Sequence, residues 1–449
     1  MTLADVPRYD PDRAREIGET AVVIGGSVAG LLAARVLSDW FGEVTIVERD
    51  PLPDESTPRR GVPQGRHIHA LMKAGRATIE DLFPGYGEEL LSAGGVQIDM
   101  ASDVLHYEKG DFVADGPTRL PTYYATRPLF ERIVRRRIRD RTGVALLDEH
   151  QFLDYTTDDA GTTVTGVHVR TDDGDTQEIA ADLVVDATGR TSRTPNWLAE
   201  NGYTAPQVDD VTVDLAYSSV LSERPPDDRR ALIVAPAPSR LRGVGVFPVE
   251  NDRWLITYFG MHGDHPPTDP GNVREFSANL PGPDPLELLD AEPTFSEGID
   301  HYPFASNRRR RYEDLERFPA GLVVIGDAIA SFNPIYGQGM SVAALEALLL
   351  HHTLAGETNP SIARSFFGRT EDVIDVAWSM AAGADFQYPP TTGPKPRGTE
   401  FFTWYVGRLT RKAHSDGELR ETFYRVINME YPPSRLLRPR TLWRVLRPF

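Results

Sequence analysis

Residues 25–30, Gly-Gly-Ser-Val-Ala-Gly, lie between a short apolar run at 21–25 (AVVIG) and a stretch at 27–37 whose apolar residues, Val28, Leu31, Leu32 and Leu37, recur at helical spacing. The run reads as a strand buried on both faces of a parallel sheet. A second such strand, 44–47 (VTIV), ends at Glu48. Strand, Gly-rich turn, helix and strand together make a βαβ unit that holds a nucleotide at the helix start. Gly25 permits the tight turn and Gly30 lets the helix pack closely on the strand. The amides of the helix start then point at a pyrophosphate, where the helix dipole favours negative charge. Ser27 stands at the second glycine of G-x-G-x-x-G; its side chain crowds the phosphate slightly, and its hydroxyl can donate to it. Glu48 follows Gly30 by eighteen residues. It can accept from both ribose hydroxyls of an adenosine, and it repels a 2′-phosphate, which selects FAD or NAD over NADP. The candidate contacts here are Gly25, Gly26, Ser27, Ala29, Gly30, Glu48 and Arg49.

A second motif selects FAD over NAD. Gly326-Asp327-Ala328 directly follows an apolar strand at 321–325, and 333–341 (NPIYGQGMS) opens into a long apolar helix at about 341–354. An aspartate at a strand's carboxyl end can hold the ribityl hydroxyls of a flavin. Gly337 and Gly339 let backbone approach a flat ring. A helix starting near Met340 aims its positive end at the N1/C2 edge of that ring, where reduced flavin is anionic. Gly326, Asp327, Pro334, Gly337, Gln338, Gly339, Met340 and Ser341 are the candidates at this end.

These motifs, with Ala187-Thr188-Gly189 after a buried strand, resemble those of the FAD-dependent monooxygenases related to p-hydroxybenzoate hydroxylase and squalene epoxidase. The stretch 58–69 (PRRGVPQGRHIH) is similar more narrowly to the flavin epoxidases of polyether antibiotic pathways. The resemblance covers about 21–350. It implies a ribose contact for Glu48, a ribityl contact for Asp327, and an isoalloxazine lined by 334–341. Arg59 and Arg127 match basic positions that face the cofactor's phosphates or adenosine, although Arg127 also reads as a surface arginine at a helix start. It further implies insertion of one oxygen atom from O2, by epoxidation or hydroxylation, into an apolar substrate through a flavin C4a-hydroperoxide. NAD(P)H would be a transient reductant or would act through a separate flavin reductase. The aromatic hydroxylases carry Asp-Gly where this chain has Thr188-Gly189, which removes any nicotinamide contact made through that aspartate. Two rival readings share the scaffold: a reductase of isoprenoid double bonds like the geranylgeranyl reductases, and a non-catalytic, redox-responsive flavoprotein.

The expected architecture is α/β: a Rossmann-like FAD-binding parallel sheet in two segments, 18–205 and 310–375, an inserted antiparallel-sheet substrate domain at 206–309, and a C-terminal helical region at 376–449. The insert is read from strand-like runs between about 211 and 258, separated by turn signals. With no cysteine in 449 residues, disulfides, thiolate nucleophiles and cysteine metal sites are excluded. No metal-ligand spacing is visible, so no metal is expected. The first twenty residues carry no apolar run and no stretch has the length of a membrane span, so a cytoplasmic protein is expected. The net charge of −18 disfavours nucleic acid. Only four of 48 basic residues are lysine, and the acidic excess resembles proteins that work in high salt. The arginine runs at 135–137 and 308–311 read as solvated or structural faces, with one phosphate- or substrate-binding arginine left open.

No side chain declares itself catalytic. His67 and His69 are either loop-packing histidines or groups that orient flavin or substrate. Lys73 raises the lysine of flavin-dependent halogenases, but the tryptophan-rich signature of that group is absent. Phe247, Tyr258 and Phe259 are candidates for a hydrophobic substrate wall or for ordinary core. The tail 434–449 carries five arginines, no acid, and interleaved apolar residues. It reads as a segment docked on the acidic body, with peripheral contact to an anionic membrane as the alternative.

Overall fold

The computed structural model describes residues 1–295, 298–356 and 362–448. Five strands pair in parallel in the order Leu322–Val324, Leu183–Asp186, Gly18–Ile24, Phe41–Val47, Val144–Leu147. The apolar residues of the first four are buried, as expected of strands covered on both faces, and those of the edge strand Val144–Leu147 are only partly covered or exposed. The helices Val28–Leu37 and Gly339–Leu354 pack against one another. The helix Val28–Leu37 is tied tightly to the strand before it. A Cβ on Gly30 would stand 1.8 Å from the Gly25 carbonyl oxygen, and one on Gly25, at φ +107, would stand 2.6 Å from that of Ala187. Only glycine permits that approach. Gly25, Glu48, Ala187 and Gly326 therefore emerge side by side from the carboxyl ends of four strands, where ligands bind in open parallel sheets.

The second large sheet has eight strands, in the order Ala330–Ser331, Asp300–Arg310, Val208–Glu223, Arg253–Met261, Arg242–Val249, Ala231–Val234, Val104–Glu108, Asp111–Phe112. The expected insert at 206–309 supplies its centre, but the sheet also recruits strands from 104–112 and 330–331 on both sides of it. Val104–Glu108 pairs in parallel with Ala231–Val234, covering what would otherwise be an open edge. One face of this sheet is closed by the helices Pro270–Ala278 and Pro285–Leu288 over a cluster that includes Val244, Trp254, Ile256 and Phe276. The other face looks toward the parallel sheet.

The C-terminal part is helical, and the helix Ile362–Met380 runs across the expected boundary at 375/376. The arginine run at 308–311 is structural. Arg308 pairs with Asp210, Arg309 with Glu313 and Asp375, and Arg311 with Asp209, while Arg310 donates to the Ala328 and Arg190 carbonyls. The run at 135–137 is likewise paired, with Glu131 and Glu89. No helix among the described residues is long and apolar enough to cross a membrane.

The tail docks on the protein's own body. Pro439–Leu446 is a helix; Leu436 and Val445 are fully buried, and Arg444 and Arg440 pair with Asp416 and Glu418. The Tyr405 hydroxyl donates to the Leu436 carbonyl at 2.6 Å, and Arg408 donates to that of Val445 at 2.7 Å. Phe449, counted with this segment in the sequence, lies outside the described residues. Truncation after Pro433 exposes the surface that Leu436 and Val445 cover, at about 1.5–3 kcal/mol per side chain. The shortened protein is expected to melt several degrees below the full chain in plain buffer. An unchanged melting temperature would contradict the docking.

Candidate active site

One cavity of about 870 Å³ runs from the carboxyl ends of the parallel strands to the inner face of the eight-stranded sheet. At its first end it is lined by Gly25, Ser27, Ala29, Glu48 and Arg49. The Glu48 carboxylate is already anchored: Oε2 accepts from the Gly26 amide at 2.9 Å and Oε1 from the Asp50 amide at 3.0 Å. Oε1 retains a second lone pair for a ligand hydroxyl, while Oε2 also meets the Arg59 guanidinium. Behind it lies Glu131, only 3% exposed, which no sequence pattern singled out. Arg59, Arg127 and Arg135 pair with Glu131, and the Ser27 hydroxyl donates to its Oε2 at 2.9 Å. Burial alone would raise the Glu131 carboxyl, but Arg59 and Arg127 hold it below the ordinary carboxylate range.

Two expectations change here. Arg59 does not reach the cavity wall; its guanidinium is buried against Glu48, 3.2 Å away, and Glu131, so it supports the site from behind. The Ser27 hydroxyl proton goes to Glu131 rather than to a phosphate, and the same oxygen accepts from Arg127 at 2.9 Å. Arg127 does line the cavity and is buried, not a surface residue. Gly26, Gly30, Gly326 and Ser341 also lie just behind the wall, where they shape the turns.

At the middle of the cavity stands Asp327. It is exposed to the cavity yet deep inside the protein, with Arg127, Arg190 and Arg310 as its charged neighbours. Burial raises its carboxyl above the ordinary value, and the three guanidiniums counter that. Arg190, absent from the sequence reading, is fixed by donating to the Ser306 carbonyl and to the Ser306 and Ser331 hydroxyls. Glu346, fully buried in the long helix, accepts from the Gly326 amide at 2.6 Å and braces the turn that presents Asp327. The carboxyl of Glu346 is pushed by burial to about 8.

Pro334, Gly337, Gln338, Gly339 and Met340 line the cavity at the start of the helix Gly339–Leu354. Gly337 has a left-handed φ of +68, and Gln338 gives the helix no side-chain cap. The N-terminal amides are therefore open to a ligand. The Gln338 Oε1 is buried without a protein partner. The loop before this helix is held by Asp385, which accepts from Asn307, Asn333 and Tyr336 at 2.7–2.9 Å. Thr188 turns its hydroxyl to Asp186 at 2.6 Å. Two uncapped helix starts, the carboxylates of Glu48 and Asp327, and an unpartnered amide oxygen between glycines are a donor and acceptor set that fits FAD.

The far wall is aromatic: Tyr217, Phe247, Phe259, Tyr302 and Phe304 face the cavity. Tyr258 does not. Strand alternation turns it to the opposite face, where its ring meets Phe276 at 5.8 Å. His67 and His69 both line the cavity, whereas Lys73 does not. Burial pushes His67 down to about 4 and His69 to about 3, so both are neutral at pH 7. Among the described residues no three of His, Cys, Asp and Glu cluster as a metal would require.

Comparison with known proteins agrees with this geometry. A family described as an FAD binding domain matches residues 19–361. Protein Rv3254 of Mycobacterium tuberculosis is 34% identical over 425 residues, covering 90% of this chain and 88% of that protein. Among solved structures, the flavin-dependent brominase Bmp2 superposes with a TM-score of 0.65 at 16% identity, over 94% of this chain and 97% of that one. The p-nitrophenol 4-monooxygenase PnpA of Pseudomonas putida DLL-E4 does so with 0.61 at 17%, over 93% and 100%. At such identities the superpositions show a shared fold. The family match shows more: this chain belongs to the FAD binding domain family of p-hydroxybenzoate hydroxylase-like flavoproteins, and it is an FAD-dependent oxidoreductase.

Proposed function

We propose that the protein inserts one oxygen atom from O2, by epoxidation or hydroxylation, into a largely apolar substrate seated between bound FAD and the aromatic face of the eight-stranded sheet. The observation that carries this reading is the continuity of a single cavity from Glu48 through Asp327 to Tyr217, Phe247 and Phe259. Bound FAD supplies the O2 activation and the electrons, which none of these side chains supplies. The protein's part is to bind, orient and exclude water.

In this reading Glu48 holds the adenosine ribose and the start of the helix Val28–Leu37 the pyrophosphate. Arg127, held beside Ser27, adds positive charge there. Asp327 takes the ribityl chain, and the open amides at Gly339 and Met340 meet the electron-rich edge of the ring. The aromatic wall limits water at the reacting face. Reducing equivalents come from NAD(P)H, bound transiently or used by a separate reductase, since Thr188 spends its hydroxyl on Asp186 and offers a nicotinamide no carboxylate.

Glu48→Ala is expected to weaken FAD binding by about 1.5–3 kcal/mol, the usual worth of hydrogen bonds to a charged group, read as an FAD dissociation constant by fluorescence. Unchanged affinity would remove Glu48 from the site. Turnover of a converted substrate under 18O-labelled O2 is expected to place one labelled atom in the product. A product saturated at a double bond, with no label, would instead make the protein a reductase.

A further inference from the structure

His67 is 4% exposed and lies at the cavity wall, yet its Nε2 has no partner in the protein. A buried imidazole nitrogen left unpaired is destabilising, so it calls for a ligand atom. Which kind of atom depends on the tautomer, and the neighbouring hydrogen bonds fix it. The Ile68 amide donates to Thr257 Oγ1 at 3.1 Å, Thr257 Oγ1 lies 2.6 Å from Ser219 Oγ, and Ser219 Oγ lies 2.7 Å from His67 Nδ1. If Nδ1 carried the proton, it would donate to Ser219 and Ser219 to Thr257. The Thr257 hydroxyl, fully buried, would then have a proton and no acceptor. The reverse direction leaves no hydroxyl proton without an acceptor: Thr257 donates to Ser219, Ser219 donates to Nδ1, and the proton sits on Nε2.

The unpartnered nitrogen of this cavity-wall histidine is therefore an N–H donor, not an acceptor. It also stays neutral, because burial, with smaller contributions from His301 and Arg66, depresses its pKa to about 4. The ring stands 5.5 Å from Tyr217 and 5.8 Å from Tyr302, two aromatic residues of the eight-stranded sheet. Ser219 and Thr257 also belong to that sheet, so the relay is anchored on the substrate side of the cavity rather than on the parallel sheet.

We propose that His67 Nε2–H is the donor by which the cavity orients its substrate, and that this substrate is a conjugated, otherwise apolar molecule bearing a carbonyl or phenol oxygen. The proposal rests on the oxygenase reading above and adds to it a donor whose direction the surrounding hydrogen bonds fix. Tyr217 and Tyr302 flank the conjugated part, while the N–H fixes which atom faces the flavin.

The test uses the FAD-loaded protein and two probes of one shape, 2-acetylnaphthalene and 2-isopropenylnaphthalene, which differ by an oxygen in place of a methylene group. Wild type is expected to bind the ketone about tenfold more tightly than the alkene, and His67→Phe to bind both alike with unchanged FAD affinity. In the free wild-type protein, 15N-histidine NMR at pH 7 is expected to show the Nε2–H tautomer, with the His67 Nε2–H resonance moving when ketone is added. The Nδ1–H tautomer, or equal or no binding of the two probes by wild type, or a preference that survives in His67→Phe, would overturn the proposal. Loss of FAD affinity in His67→Phe would also overturn it, by assigning the donor to the cofactor. Failure of the oxygenase reading appears separately, as unlabelled product, whatever the ketone preference.

Discussion

Taking the Glu131 carboxylate out of water is tolerable only because arginines close around it, and the nucleotide end of the site is built on that closure. Arg59 arrives from the loop after the second strand, and Arg127 and Arg135 come from Glu131's own helix. Ser27 comes from the glycine turn. Arg59 continues the chain of charges to Glu48. Removing one partner of such a cluster leaves a buried charge uncompensated, a loss of about 3–5 kcal/mol. The cluster thus fixes where the turn, the acid and the long loop stand relative to one another before any ligand enters. Arg127 is left at the wall with positive charge to spare for an anion.

The same logic repeats at the flavin end with weaker groups. Glu346, from the helix that follows, braces the turn at Gly326, and Asp385, about fifty residues on, braces the loop at Asn333 and Tyr336. Both carboxyls are raised by burial, Asp385 to about 7 and Glu346 to about 8. Neither touches the cavity wall. They hold backbone in place so that open amides and Asp327, not they, meet the ligand.

Much of this was legible in the sequence because it is local. The turn at 25–30, Glu48 at the tip of the next strand and the run from Gly326 to Ser341 each carry their geometry within a few residues, since φ, spacing and strand ends are short-range properties. What was not legible depends on distant pairing. Glu131 lies in an Arg-rich helix whose pattern reads as an exposed charged face, and only the approach of Arg59 and Ser27 makes it a buried hub. Tyr258 and Phe259 are adjacent in a strand, so alternation guaranteed that they face opposite ways, but only the sheet's packing decides which one meets the cavity. The strand Val104–Glu108 pairs with Ala231–Val234 across more than a hundred residues, and nothing in its own composition announces that. His67 was visible as a candidate, but its tautomer follows from two hydroxyls on two other strands.

We propose that one continuous cavity holds FAD along the strand ends with its ring facing the aromatic sheet. A crystal structure of the protein loaded with FAD is the decisive measurement. It is expected to show adenosine at Glu48, the ribityl chain at Asp327, and the isoalloxazine ring between the start of the helix Gly339–Leu354 and Tyr217. FAD in another orientation, or a ring turned out of the cavity and away from the aromatic face, would contradict it.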